Sequence, residues 1–150
     1  MYHGRHVAAA AVAAHETGHA VQHATAYSML ELRSKLVPVV NIASRMMNYI
    51  FIGMLLFGIF LANSWNIALI LIVAAQGALA LFSLVTLPVE FDASNRALAW
   101  LNMSRVTMGQ EHDYAKDALK WAAMTYVVSA LAAITTLIYW VMVLTGGSRD

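Results

Sequence analysis

Residues 67–96 read "IALILIVAAQGALALFSLVTLPVEFDASNR". The run from Ile67 to Leu87 holds no charged side chain, and roughly 20 such apolar residues suffice for a helix to cross a bilayer. At Pro88 the character changes abruptly. Glu90, Asp92 and Arg96 follow within nine residues, so polar groups crowd the point where the span meets the membrane surface. Pro88 itself is expected to kink or restart the helix.

Two further stretches match this one. "MMNYIFIGMLLFGIFLA" covers 46–62 and is expected to extend backwards through Ile42, with the polar turn "NSWN" after it. "WAAMTYVVSALAAITTLIYWVMVL" covers 121–144 and stops at Gly146-Gly147. Trp65, Trp121 and Trp140 suit interfacial anchoring. The whole 150-residue chain is 61% hydrophobic and 11% charged, with mean hydropathy +0.65. Soluble domains carry about 25% charged residues, so this chain could not cover its apolar surface in water. The sequence therefore predicts an all-α integral-membrane protein, a single domain over 1–150 with three transmembrane helices and the lipid bilayer as partner. With no cysteine, thiolate metal sites and cysteine nucleophiles are excluded. A net charge of +1 supplies no basic field for nucleic acid. The start, "MYHGRHVAAAAVAAH", has the outline of a secretory signal, but alanine makes a poor apolar region, so the segment is expected to be retained.

Lysine and arginine fix an orientation. Arg5, Arg33, Lys35 and Arg45 precede the first span; Arg96, Arg105, Lys116 and Lys120 lie between the second and third. Only Arg149 follows the third, and residues 63–66 carry no charge. The positive-inside rule places 1–45 and 88–120 in the cytoplasm, in a bacterial inner membrane, with the 63–66 turn and the C-terminus outside. The two cytoplasmic segments then meet at one membrane face.

On the first of these segments stands "AAHETGHAVQHATAY". From Val7 to Tyr27 there is no proline and one glycine, Gly18, so an alanine-rich helix is expected. His15 and His19 lie one turn apart on a shared face, which His23 extends. The pattern is H-E-x-x-H. Two imidazoles so spaced reach one Zn²⁺, and Glu16 is placed to deprotonate the attacking water. Chance gives this pentapeptide in roughly one chain in two hundred of such composition, so it is informative without being decisive. His3 and His6 read as solvated, and His23 as a weaker third ligand than a carboxylate.

A catalytic zinc takes three protein ligands. Glu31 follows Ser28 as in a capping box. Glu111, Asp113 and Asp117 read as surface charge among lysines. Asp92 pairs with Arg96 at i,i+4. Glu90 has no partner in sequence, and its residue chemistry leaves metal ligation and simple solvation equally open.

"VAAHETGHAVQHATAY", "LRSKLVPV" and "LPVEFDASNRAL" resemble the bacterial membrane-bound neutral zinc metallopeptidases of the YugP type, over nearly the whole chain. They are more distantly similar to the HtpX and CAAX-prenyl-protease group. The resemblance implies that His15 and His19 are ligands, Glu16 the general base and Glu90 the third ligand. Ser94 departs from the HtpX-like pattern, which has aspartate there. Family members also carry an N-terminal segment before the motif helix, ending in something like "YHG" at Tyr2–Gly4. That region is expected to supply an edge strand for substrate.

The expected function is thus a Zn²⁺-dependent endopeptidase acting on a peptide or membrane-protein substrate at the cytoplasmic face. His112 and Tyr114 are candidates to stabilise the oxyanion. The competing readings are a non-catalytic or truncated metal-binding protein, a di-metal carboxylate protein built on "ETGH", or a haem carrier. The di-metal class needs a second Glu-x-x-His, which is absent, and the haem reading needs a histidine on a span, which is also absent.

Overall fold

The computed structural model describes residues 7–57 and 65–146. His3, His6, the Tyr2–Gly4 stretch, residues 58–62 of the first span, Asn63 and Gly147 lie outside the described residues. Among the described residues the chain is all-α, with no strand: α1 (Val7–Ala24), α2 (Ser28–Phe57), α3 (Trp65–Met103) and α4 (Gln110–Gly146). The last three are long and apolar enough to cross a membrane.

Two helices run further than expected. α2 begins at Ser28 and passes through Pro38, and α3 continues through Pro88 without restarting. Proline removes one N–H and crowds the carbonyl four residues back. Membrane helices tolerate that defect, because neighbouring groups can satisfy the carbonyl it releases. The capping box at Ser28 also fails to form: Glu31 N–H donates to the carbonyl of Tyr27 at 3.1 Å, one residue earlier.

The chain divides into two compact units, Met1–Leu32 with Val85–Val128, and Arg33–Leu84 with Ser129–Asp150. In the first, α1 packs against the later part of α3 and the start of α4 around Ala11, Ala14, Ala97, Leu101, Ala115 and Leu119. Four of these six are alanine, so the core is made by close backbone approach more than by large side chains. Tight turns set up that approach. Tyr27 N–H reaches back to the carbonyl of Gln22, and Ala26 N–H to that of His23, with Ala26 at φ 49°. Val106, Leu101 and Arg105 (φ 55°) repeat the arrangement after α3. Both are Schellman motifs, which consume the orphan carbonyls at a helix end and usually employ glycine at the left-handed position.

The second unit buries Leu69, Ile72, Ala75 and Ala80 of α3, while Ile42, Ile52, Leu55, Ile67, Leu131, Ile138 and Met142 are exposed. So many large apolar side chains left open suit a lipid surrounding better than water. Hydroxyls here turn inward to their own helix: Ser83 donates to the carbonyl of Leu79, Thr135 to Leu131 and Thr136 to Ala132. Such back-bonding satisfies a hydroxyl where no water is at hand.

Candidate metal centre

Ala11, Ala14, Gly18 and Gln22 recur at intervals of three and four, so they form one seam along α1, and all four are buried. At Gly18 the seam comes very close to α3. A Cβ placed there would stand 2.5 Å from the carbonyl oxygen of Ala93, nearer than real Cβ contacts allow. Glycine is therefore what lets the two backbones approach this closely. His15 and His19 border the seam, half-buried, with rings 4.7 Å apart and nearly perpendicular.

Opposite them, α3 presents Glu90. Its side chain is buried at 2% residue exposure, which overturns solvation as its reason to exist. A carboxylate removed from water needs compensating partners. Glu90 Oε2 lies 3.2 Å from His15 Nε2 and 3.5 Å from His19 Nε2. The donor atoms of all three residues fall within 4.8 Å of one another. Zinc holds nitrogen and oxygen at about 2.0–2.2 Å in a tetrahedron, which puts neighbouring donors about 3.3–3.6 Å apart. The two distances to Glu90 fit that requirement, and the two-nitrogen, one-carboxylate set suits zinc chemically.

A ring of polar contacts surrounds the trio. Ser94 Oγ lies 3.1 Å from His15 Nδ1. Gln22, fully buried, has Oε1 2.9 Å from His19 Nδ1, and its Nε2 donates to the Val89 carbonyl and to Asp92 Oδ2, each at 2.8 Å. Asp92 accepts from Arg96 Nε at 2.6 Å, the pair expected from their spacing, and the Arg96 guanidinium stands 5.9 Å from the Tyr27 ring centre. Desolvation acts to raise the Asp92 carboxyl, but hydrogen bonds from Arg96 and Gln22 and the Arg96 charge outweigh it and hold it below its ordinary value. Asp92 thus does more than the surface pair its spacing suggested.

The remaining candidates lie elsewhere on these helices. Glu16 is exposed on α1 and has no hydrogen bond among the described residues; His23 is exposed as well. His112 Nδ1 stands 3.1 Å from Thr107 Oγ1, and Tyr114 OH accepts from Gln110 at 2.9 Å, both contacts within α4 and the turn before it. Glu31, Glu111, Asp113 and Asp117 are exposed. Gln22 and the Ser94 contact escaped sequence reasoning. The available signal was Gln22's place on the Ala11–Ala14–Gly18 seam, where an amide must be buried.

A helical chain with three apolar spans and a buried carboxylate facing two imidazoles one helical turn apart has the build of a membrane metallopeptidase. The chain belongs to the family described as "Putative neutral zinc metallopeptidase", whose profile matches residues 1–145. It is 40% identical over 150 residues to a Bacillus subtilis (strain 168) protein named "Putative membrane protease YugP", covering all of this chain and 64% of that relative. No solved structure matches the chain.

Proposed function

We propose that this chain is a zinc-dependent endopeptidase embedded in the membrane, with His15, His19 and Glu90 as the metal ligands. The observation that carries the reading is the convergence of those three donors, supported by the family and by the name of the Bacillus relative. A zinc ion held there would polarise the scissile carbonyl and bring the pKa of the attacking water towards 7. The protein's own residues do the rest. Glu90 contributes negative charge from a dry position, and the two imidazoles hold fixed directions on one helix. Glu16, adjacent to His15 and open to solvent, takes the proton from the water and returns it to the leaving amine. His112 or Tyr114 donates to the oxyanion, the former through Nε2, since its Nδ1 faces Thr107. The substrates are peptides or membrane proteins reached from the cytoplasmic face.

The test is metal content with a ligand variant beside it. Protein purified in detergent without added chelator should carry about one zinc per chain, and a chelator should remove both metal and peptidase activity, with zinc restoring them. Glu90→Ala should lower zinc affinity far more than Glu31→Ala, which removes an exposed carboxylate. Iron in place of zinc, or equal affinity in the two variants, would refute the assignment.

A further inference from the structure

The two imidazoles of the cluster stand in unequal hydrogen-bonding positions. Gln22 is fully buried, and its amide has three neighbours. Two of them, the Val89 carbonyl and the Asp92 carboxylate, can only accept, so both must face the NH₂ group of Gln22. Flipping the amide would set its oxygen against two other oxygens. The orientation is therefore forced, and Oε1, which only accepts, is left facing His19 Nδ1 at 2.9 Å. His19 Nδ1 must then carry a proton. In the neutral ring this leaves the lone pair on Nε2, the atom 3.5 Å from Glu90 Oε2.

His15 is under no such constraint. Its Nδ1 faces the hydroxyl of Ser94 at 3.1 Å, and a hydroxyl both donates and accepts. Either tautomer of His15 is satisfied there, so its Nε2 can donate to Glu90 Oε2 at 3.2 Å or offer a lone pair to a cation.

We propose that Gln22 is a positioning residue that locks His19 as the Nδ1–H tautomer with Nε2 ready for metal, whereas Ser94 leaves His15 able to exchange tautomers. This rests on the zinc reading of the cluster. Partners of a ligating histidine's second nitrogen fix its tautomer and direction, and their removal weakens metal binding by about 10–100-fold. Here the partner is a neutral amide, itself held by Asp92 and the Val89 backbone.

The experiment uses the full chain in detergent micelles, with ¹⁵N-labelled imidazoles and zinc as the probe. Two variants are compared: Gln22→Met, which removes the acceptor opposite His19, and Gln22→Glu, which keeps an acceptor there. Both lose the amide donors to Val89 and Asp92, and Gln22→Glu also sets a second oxygen against those two acceptors, so any loosening of the helix contact should be at least as great in Gln22→Glu as in Gln22→Met. In metal-free protein at mildly alkaline pH, His19 should be protonated at Nδ1 in the wild type and in Gln22→Glu. In Gln22→Met the proton should shift towards Nε2. Zinc affinity should fall about 10–100-fold in Gln22→Met and substantially less in Gln22→Glu. A wild-type His19 protonated at Nε2 would overturn the proposal, as would a His19 proton that stays on Nδ1 in Gln22→Met. Failure of the wild type to bind zinc would instead remove the zinc reading, and the metal-free spectra would still decide the tautomer.

Discussion

Two glutamates accompany the imidazole pair, Glu16 next to His15 in sequence and Glu90 across from both rings, and they differ in burial. Glu90, closed off from water, has Oε2 within 3.5 Å of both rings, as a ligand must. Glu16 is exposed and unbonded among the described residues, which leaves its carboxylate able to meet a water and give up a proton again. Glu16→Gln should therefore keep its zinc while peptide hydrolysis falls by about 10²–10⁴-fold, the usual share of a general base. Measuring both quantities on one preparation checks this; zinc lost along with activity would make Glu16 a ligand and bring back the di-metal alternative. His15 and His19 were legible from their i,i+4 spacing, because one helix sets their relation. Glu90 was not legible from residue chemistry alone, since its burial depends on a helix 75 positions away. The family resemblance was what pointed to Glu90 as the expected third ligand. Gln22 was invisible for another reason: an amide among alanines and valines reads as surface until its seam is projected.

At the scale of elements, the contact of α1 with α3 decides whether the donors converge. Its small residues carry little hydrophobic energy each, but they permit an approach that leucines would prevent. Gly18→Ala poses the question quantitatively. Alanine favours a helix interior over glycine by about 1 kcal/mol. Against that, the new Cβ would meet the Ala93 carbonyl oxygen, a backbone atom that cannot rotate aside. Overpacking of this kind costs about 1–3 kcal/mol, so the clash should prevail. Gly18→Ala should retain its helix content by circular dichroism yet bind zinc more weakly, because α1 must draw back and take both imidazoles with it. Unchanged zinc affinity would show that the approach is looser than described. The length of the apolar runs announced the three long helices correctly, but not their ends. Pro38 and Pro88 are helix-breaking signals locally, and both sit inside continuous helices. A membrane-type surrounding changes what the same residue does, which a rule drawn from local chemistry cannot register.

Over the whole molecule, the distribution of charge is the strongest guide to orientation. The chain spans 64% of the length of its Bacillus relative. Eight of the nine lysines and arginines fall before the first span or between the second and third, and Arg149 alone follows the third. α4 shows the asymmetry within one element: Lys116 and Lys120 stand near its start, and no lysine or arginine follows before Gly146. Cytoplasmic loops collect such residues during insertion, and each one placed at a helix centre instead would cost about 2.5–3.5 kcal/mol. The motif helix and the segment bearing Glu90 should thus be cytoplasmic, with the C-terminus outside. Fusing alkaline phosphatase, active only after export, to the C-terminus should give a strong signal. The same enzyme inserted in the Arg105–Gly109 turn between α3 and α4 should be silent, and a cytoplasmic fluorescent reporter should show the reverse at both places. Phosphatase activity at the turn with none at the C-terminus would invert the topology and place the His15–His19–Glu90 cluster outside the cytoplasm. Activity at both would mean that α4 does not cross the membrane, despite its length and composition.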